Sequence, residues 1–126
     1  MTKAEALYKF WSSFGWPAYD ELTVPTGENK PALPYITYES STDSFGGSLA
    51  LTASLYCRST SWADVESKSE QIAKAIAVDG YYISKVDGGY LMIYKRTPFA
   101  QRMDDPSDDM IRRIVLNITA EFLTAY

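Results

Sequence analysis

The chain has 126 residues, 46% hydrophobic and 22% charged, with a net charge of −4. That is one domain, residues 1–126, with material for one core, and it has no basic cluster of the kind that grips phosphate or reads bases. There is no histidine, which removes the commonest general base and the commonest metal ligand, and the single cysteine, Cys57, cannot form an internal disulfide.

Thr2 to Phe14 is predicted as an amphipathic helix. Thr2 and Glu5 have capping-box spacing, and Leu7, Phe10, Trp11 and Phe14 fall on one face. Gly15 and Pro17 end it. This opening carries a charge and helical spacing rather than an apolar signal stretch, and no run approaches the roughly 18 apolar residues of a membrane span. A soluble protein without a signal peptide is therefore expected.

Trp16 to Pro34 reads as a long irregular stretch punctuated by Pro17, Pro25, Gly27, Pro31 and Pro34. Pro34 to Glu39 is a short strand. Ser40 to Ser48 is a polar, glycine-rich hairpin connection with Phe45 at its centre. Leu49 to Ser59 is a second strand, with Leu49, Leu51, Ala53, Leu55 and Cys57 on its core face. Cys57 is read as a small buried hydrophobe.

Ser61 starts a second helix, with Asp64 in a weak capping box, running to about Val78. Val65, Ser69, Ile72 and Ile76 form its buried stripe. Tyr81–Val86 and Tyr90–Thr97 are strands joined by Asp87-Gly88-Gly89, and Pro98 is expected to stop the second. Phe99 to Asp109 reads as a second long loop, with four aspartates around Pro106.

The last segment has the clearest pattern. Ile114, Leu116, Ile118, Ala120 and Phe122 alternate with Val115, Asn117, Thr119 and Glu121, as in a long half-buried strand. Ile111 to Phe122 would span about 40 Å. A compact chain of this length has a diameter of only about 36 Å. The strand must bend sharply or reach the molecular edge, where strands often meet another subunit. The whole predicts an α+β fold: a mainly antiparallel sheet with helices on one face, in the order α-β-β-α-β-β-β.

The search for chemistry returns little. No serine sits in a nucleophile elbow, and Phe45-Gly46-Gly47 and Asp87-Gly88-Gly89 are hairpin glycines rather than a phosphate loop. The aspartates at 104, 105, 108 and 109 lack EF-hand spacing. They read as a solvated acidic loop, or one that pairs with basic groups such as Arg102, Arg112 and Arg113. No enzyme activity, cofactor or metal is expected.

The aromatic first helix, the proline-rich loop delivering Pro34-Tyr35-Ile36-Thr37-Tyr38-Glu39, the Leu49–Ser59 strand feeding the Trp62–Val78 helix, the Tyr81–Thr97 hairpin and the long closing strand together resemble the tail terminator, or tail completion, proteins of long-tailed bacteriophages. The resemblance covers nearly the whole chain. It implies a structural virion protein of the tail and neck, assembled in the bacterial host cytoplasm. Such proteins form a hexameric ring on the head-proximal end of the tail tube. The ring ends tube growth and offers a surface for head–tail joining. The implied partners are further copies of itself, the major tail tube protein and the head–tail connector or stopper. DNA would pass through the lumen without specific binding, and six copies carrying −4 each give an acidic ring. No catalytic residue carries over. The candidate interface residues are Phe45, Gly46, Phe99, Arg102, Met103, Asp104 and Asp105. Two other readings stand beside it: a head completion or stopper protein of the neck, and a small-molecule-binding α+β domain.

Overall fold

The computed structural model describes residues 1–77 and 79–126. It is an α+β fold, two α-helices with a six-stranded, mainly antiparallel sheet in the order β1-β2-β3-β6-β5-β4.

Helix α1 (Lys3–Ser12) starts as its sequence dictates. Thr2 Oγ1 accepts from Glu5 N at 3.1 Å, and Glu5 Oε1 accepts from Thr2 N at 3.3 Å. This capping box satisfies two of the helix's orphan donors. The helix stops two residues short of Phe14, where Ser13 N turns back to Phe10 O. Its aromatic stripe is buried in the core cluster. Phe10 meets Trp11, Phe14 and Tyr82 at centroid distances of 4.8, 5.2 and 4.7 Å, and Trp11 stacks on Tyr38.

The stretch expected to be irregular contains an extra strand. β1 (Ala18–Asp20) lies parallel to β2 (Tyr35–Tyr38), so the order is α-β-β-β-α-β-β-β. Three residues are too few to show a period, and the strand exists because its partner is present: Ile36 N donates to Pro17 O, and Glu21 N to Tyr38 O. β2 pairs antiparallel with β3 (Leu49–Arg58). Past Tyr38 that pairing is extended by Glu39, whose carboxylate accepts from Thr52 N and Thr52 Oγ1 at 2.9 and 2.5 Å.

Helix α2 (Ala63–Ala77) begins after Ser61, whose Oγ accepts from Ala63 N at 3.0 Å. Its buried residues are Val65, Ser69, Ile72 and Ile76, as the spacing predicts. The expected end near Val78 lies outside the described residues. β4 (Tyr82–Val86) turns tightly into β5.

The main departure from expectation is β5 (Gly89–Met103). It does not stop at Pro98. It pairs with β6 (Ile111–Thr124) in two blocks, Gly89–Lys95 and Ala100–Met103, with a register shift between them. Pro98 sits inside that irregularity, where no ladder N–H is required of it. Phe99, Arg102 and Met103 are therefore strand residues, and the acidic loop shortens to residues 104–110.

β6 lies between β3 and β5 and makes the longest ladders in the sheet. Ile114, Leu116, Ile118, Ala120 and Phe122 are all buried, and every residue between them is half-buried. They join Leu7, Phe10 and Trp11 of α1, Val65, Ile72 and Ile76 of α2, and Leu51, Leu55, Leu91 and Ile93 in one core cluster. Fourteen residues at about 3.3 Å each carry β6 across about 46 Å.

Candidate functional site

The length of β6 divides the predicted interface residues into two groups. Phe45 and Gly46 lie at its Thr124 end, since Phe45 N donates to Thr124 O at 2.9 Å. Arg102 and Met103 lie at the other, paired with Ile114 and Arg113. The seven sequence candidates came from two loops, and the fold sets Phe45 and Gly46 about 35 Å along β6 from Arg102 and Met103.

At the first end, Phe45 is 74% exposed, and Gly46 takes a left-handed φ of 97°. The loop around them is tied down. Lys3 Nζ donates to Asp43 O at 2.9 Å and to the Tyr126 backbone oxygen, and Ser48 Oγ donates to Glu121 at 3.1 Å. Phe45 is thus an apolar side chain held out in water by a braced loop.

At the second end the organising residue is Trp62, just before α2. Its ring meets two guanidinium groups, Arg102 at 4.7 Å and Arg112 at 5.5 Å. Arg102 Nε also binds Glu66 Oε1 at 2.8 Å. Arg112 donates to the backbone oxygens of Asp109 and Thr60 at 2.8 and 3.2 Å, while its Nε is buried without a partner. An open cleft of about 390 Å³ lies beside this clamp, lined by Trp62, Met103, the four aspartates and Arg112.

The aspartates are not equivalent. Asp105 accepts from Ser107 Oγ and Ser107 N at 2.5 and 2.9 Å. Those two bonds, with help from the Arg113 charge, hold its carboxyl below the ordinary range. Asp108 pairs with Arg58 and accepts from Met110 N at 2.8 Å, and its pKa is lowered by the hydrogen bond from Arg58 first and then by Met110. Internal hydrogen bonds shape this loop. Among the described residues, no three Asp, Glu or Cys side chains converge as a metal site would require.

Phe99 does not belong with Arg102 and Met103 as an exposed contact. It is half-buried against the core cluster, with Lys95 Nζ 6.0 Å from its ring centre. Ala100 pairs with core-facing Leu116, so simple alternation would turn Phe99 outward; the register shift between Lys95 and Ala100 breaks that alternation and lets Phe99 pack on the core.

A further feature lay outside the sequence reading. On the side of the sheet opposite the core cluster, Tyr19, Tyr35 and Tyr56 form a ladder across β1, β2 and β3, with centroid separations of 5.9 and 5.2 Å. Arg113 continues it, stacking over Tyr56 at 5.4 Å and donating to Ser54 Oγ at 3.1 and 3.3 Å. Tyr35 is buried yet stands apart from the core cluster. Burial, followed by its tyrosine neighbours and Asp105, raises its pKa. The same side carries exposed Ile83, Tyr90 and Met103. The sequence held a signal for it: Tyr35 and Tyr56 occupy the non-core parity of their strands. Joining them required the β2–β3 register, which parity alone does not supply.

No family model, no curated protein and no solved structure matches this chain.

Proposed function

We propose that this protein is a structural component of a phage tail, which caps the head-proximal end of the tail tube as a ring, ends tube growth and presents the head–tail joining surface. Both helices lie on one side of the sheet in this reading, and the other side is a contact surface. The observation that carries it is the aromatic side of the sheet. A monomer gains nothing from setting Tyr90, Ile83 and Met103 in water beside half-buried Tyr19 and Tyr56, whereas tyrosine and methionine are favoured in protein interfaces. Two separated ends, one with a braced Phe45 and one with an acidic cleft beside Trp62, suit a subunit that touches different neighbours at its two poles. The resemblance of the element order to tail terminator proteins supplies the identity of those neighbours. The acidic balance suits a lumen through which DNA slides rather than sticks.

The test is capping. Purified protein mixed with growing tail tubes should leave a ring of density at one end of each tube in negative stain and halt elongation. Tubes that grow on at an unchanged rate, with bare ends, would refute the proposal.

A further inference from the structure

Among the described residues the sheet ends in β1 and β4, and the second half of β5, beyond the reach of β4, leaves a further stretch of backbone unpaired; β1 and this stretch of β5 are dissimilar. β4 covers β5 only from Gly89 to Ile93. From Lys95 to Met103 the strand has β6 on one side and no strand on the other. Lys95 pairs with Ile118 and Met103 with Arg113, so this free edge advances only about 17 Å along β6, around the irregular segment that holds Pro98. The other edge is β1. Pro17 O and Glu21 N point toward β2, so by alternation Ala18 and Asp20 turn their N–H groups outward.

The two edges differ in charge. The β5 edge carries Lys95 and Arg96, exposed and, among the described residues, outside any salt bridge. The third cation, Arg102, is held by Glu66. The β1 edge ends in Asp20 and Glu21, followed by Leu22, which is 87% exposed. Strand direction agrees. β1 runs parallel to β2, while β2–β3, β3–β6 and β6–β5 are each antiparallel. β1 and β5 of one chain therefore point in opposite directions. A second copy that continues the sheet in the same orientation sets its β1 antiparallel to the free half of β5.

The geometry points to a strand-to-strand contact between copies of this chain, in which the acidic β1 edge of one subunit adds to the basic Lys95–Met103 edge of the next. Main-chain hydrogen bonds would supply the pairing, Asp20 and Glu21 against Lys95 and Arg96 the selectivity. The same charges oppose the competing arrangement. Two β5 edges paired about their own centre would bring Arg96 against Arg102, with Lys95 beside it opposite Met103, and with Pro98 lacking an N–H to contribute. The contact is therefore head to tail, and head-to-tail contacts propagate into rings or filaments rather than stopping at two. This deepens the ring reading and rests on it for closure.

Charge exchange tests it. One variant carries Lys95→Glu and Arg96→Glu, another Asp20→Lys and Glu21→Lys, and a third all four changes. Self-association is read by native mass spectrometry and sedimentation at low salt and high protein concentration, with circular dichroism to confirm folding. Each two-site variant should associate about tenfold more weakly than the parent or worse. The four-site variant, and an equimolar mixture of the two-site variants, should recover. If Asp20→Lys unfolds the β1 turn, Glu21→Lys alone serves, since it leaves the Asp20–Leu22 hydrogen bond in place. A parent that stays monomeric, two-site variants that associate normally, or a four-site variant that fails to recover each overturns the contact. Capped tubes that ignore these charges overturn the edge pairing and leave the ring; charge rescue without capping does the reverse.

Discussion

The two sides of β6 come from one run of residues and do different work. Ile114, Leu116, Ile118, Ala120 and Phe122 are sealed into the core cluster, while Val115, Asn117, Thr119 and Glu121 between them are half-buried and polar or small. The first set shares one core cluster with residues of both helices. The second, with the tyrosine ladder and Arg113 beside it, contributes less to folding and remains available for contacts. In the proposed assembly, stability and association would be written on alternate residues of the same strand, and substitutions should separate them.

The sharpest separation comes from truncation. Ile118→Ala removes a fully buried side chain and should cost about 3 kcal/mol in urea unfolding. Thr119→Ala, one residue on, should cost less than about 0.5 kcal/mol. Equal losses would mean that the second side is also core. Tyr56→Ala should fall between them, at about 1–2 kcal/mol, because it removes contacts with both Tyr35 and Arg113. Its larger effect should appear in tube capping, measured by electron microscopy on the folded variant. Normal capping by Tyr56→Ala would show that the ladder is ordinary packing.

The capping box offers a smaller check at a site on neither side of β6. Thr2→Ala should lower stability by about 1 kcal/mol while capping is preserved. The smallest expected effect is electrostatic. Asp105 and Asp108 have folded pKa values below their unfolded ones, so the stability they contribute is present above the unfolded carboxylate value of about 4 and is lost as pH falls through the folded values. Both are half-exposed at the surface, where solvent screens them, and the effect on unfolding should be slight. Carboxyl NMR titration is the sensitive probe: Ser107→Ala should move Asp105 upward and leave Asp108 in place. An unmoved Asp105 would show that the hydrogen bonds from Ser107 are not its dominant influence.

Where a side chain's fate depends on its own strand or helix, the sequence was readable. The alternation in β6, the α2 stripe and the Thr2–Glu5 cap all have physical causes confined to a few neighbouring residues. What escaped depends on partners far along the chain. β1 is three residues that become a strand only because β2 is there. Pro98 reads as a strand stop until a register shift gives it a place without a hydrogen-bond requirement. That error turned Phe99 outward in expectation and grouped it with Arg102 and Met103. The Trp62 clamp joins residues 40 and 50 positions apart, and no local pattern reports such a contact.

The turn between β4 and β5 has a consequence out of proportion to its place at the surface. A methyl group on Gly89 would stand 1.9 Å from the carbonyl oxygen of Leu123, near the end of β6. That neighbour is main chain in the sheet's longest ladder and cannot swing aside as a flexible side chain would. Gly89→Ala should therefore behave as a conditional lesion, giving soluble protein from cultures grown cold and insoluble protein from warm ones, although the altered position looks like a harmless bend.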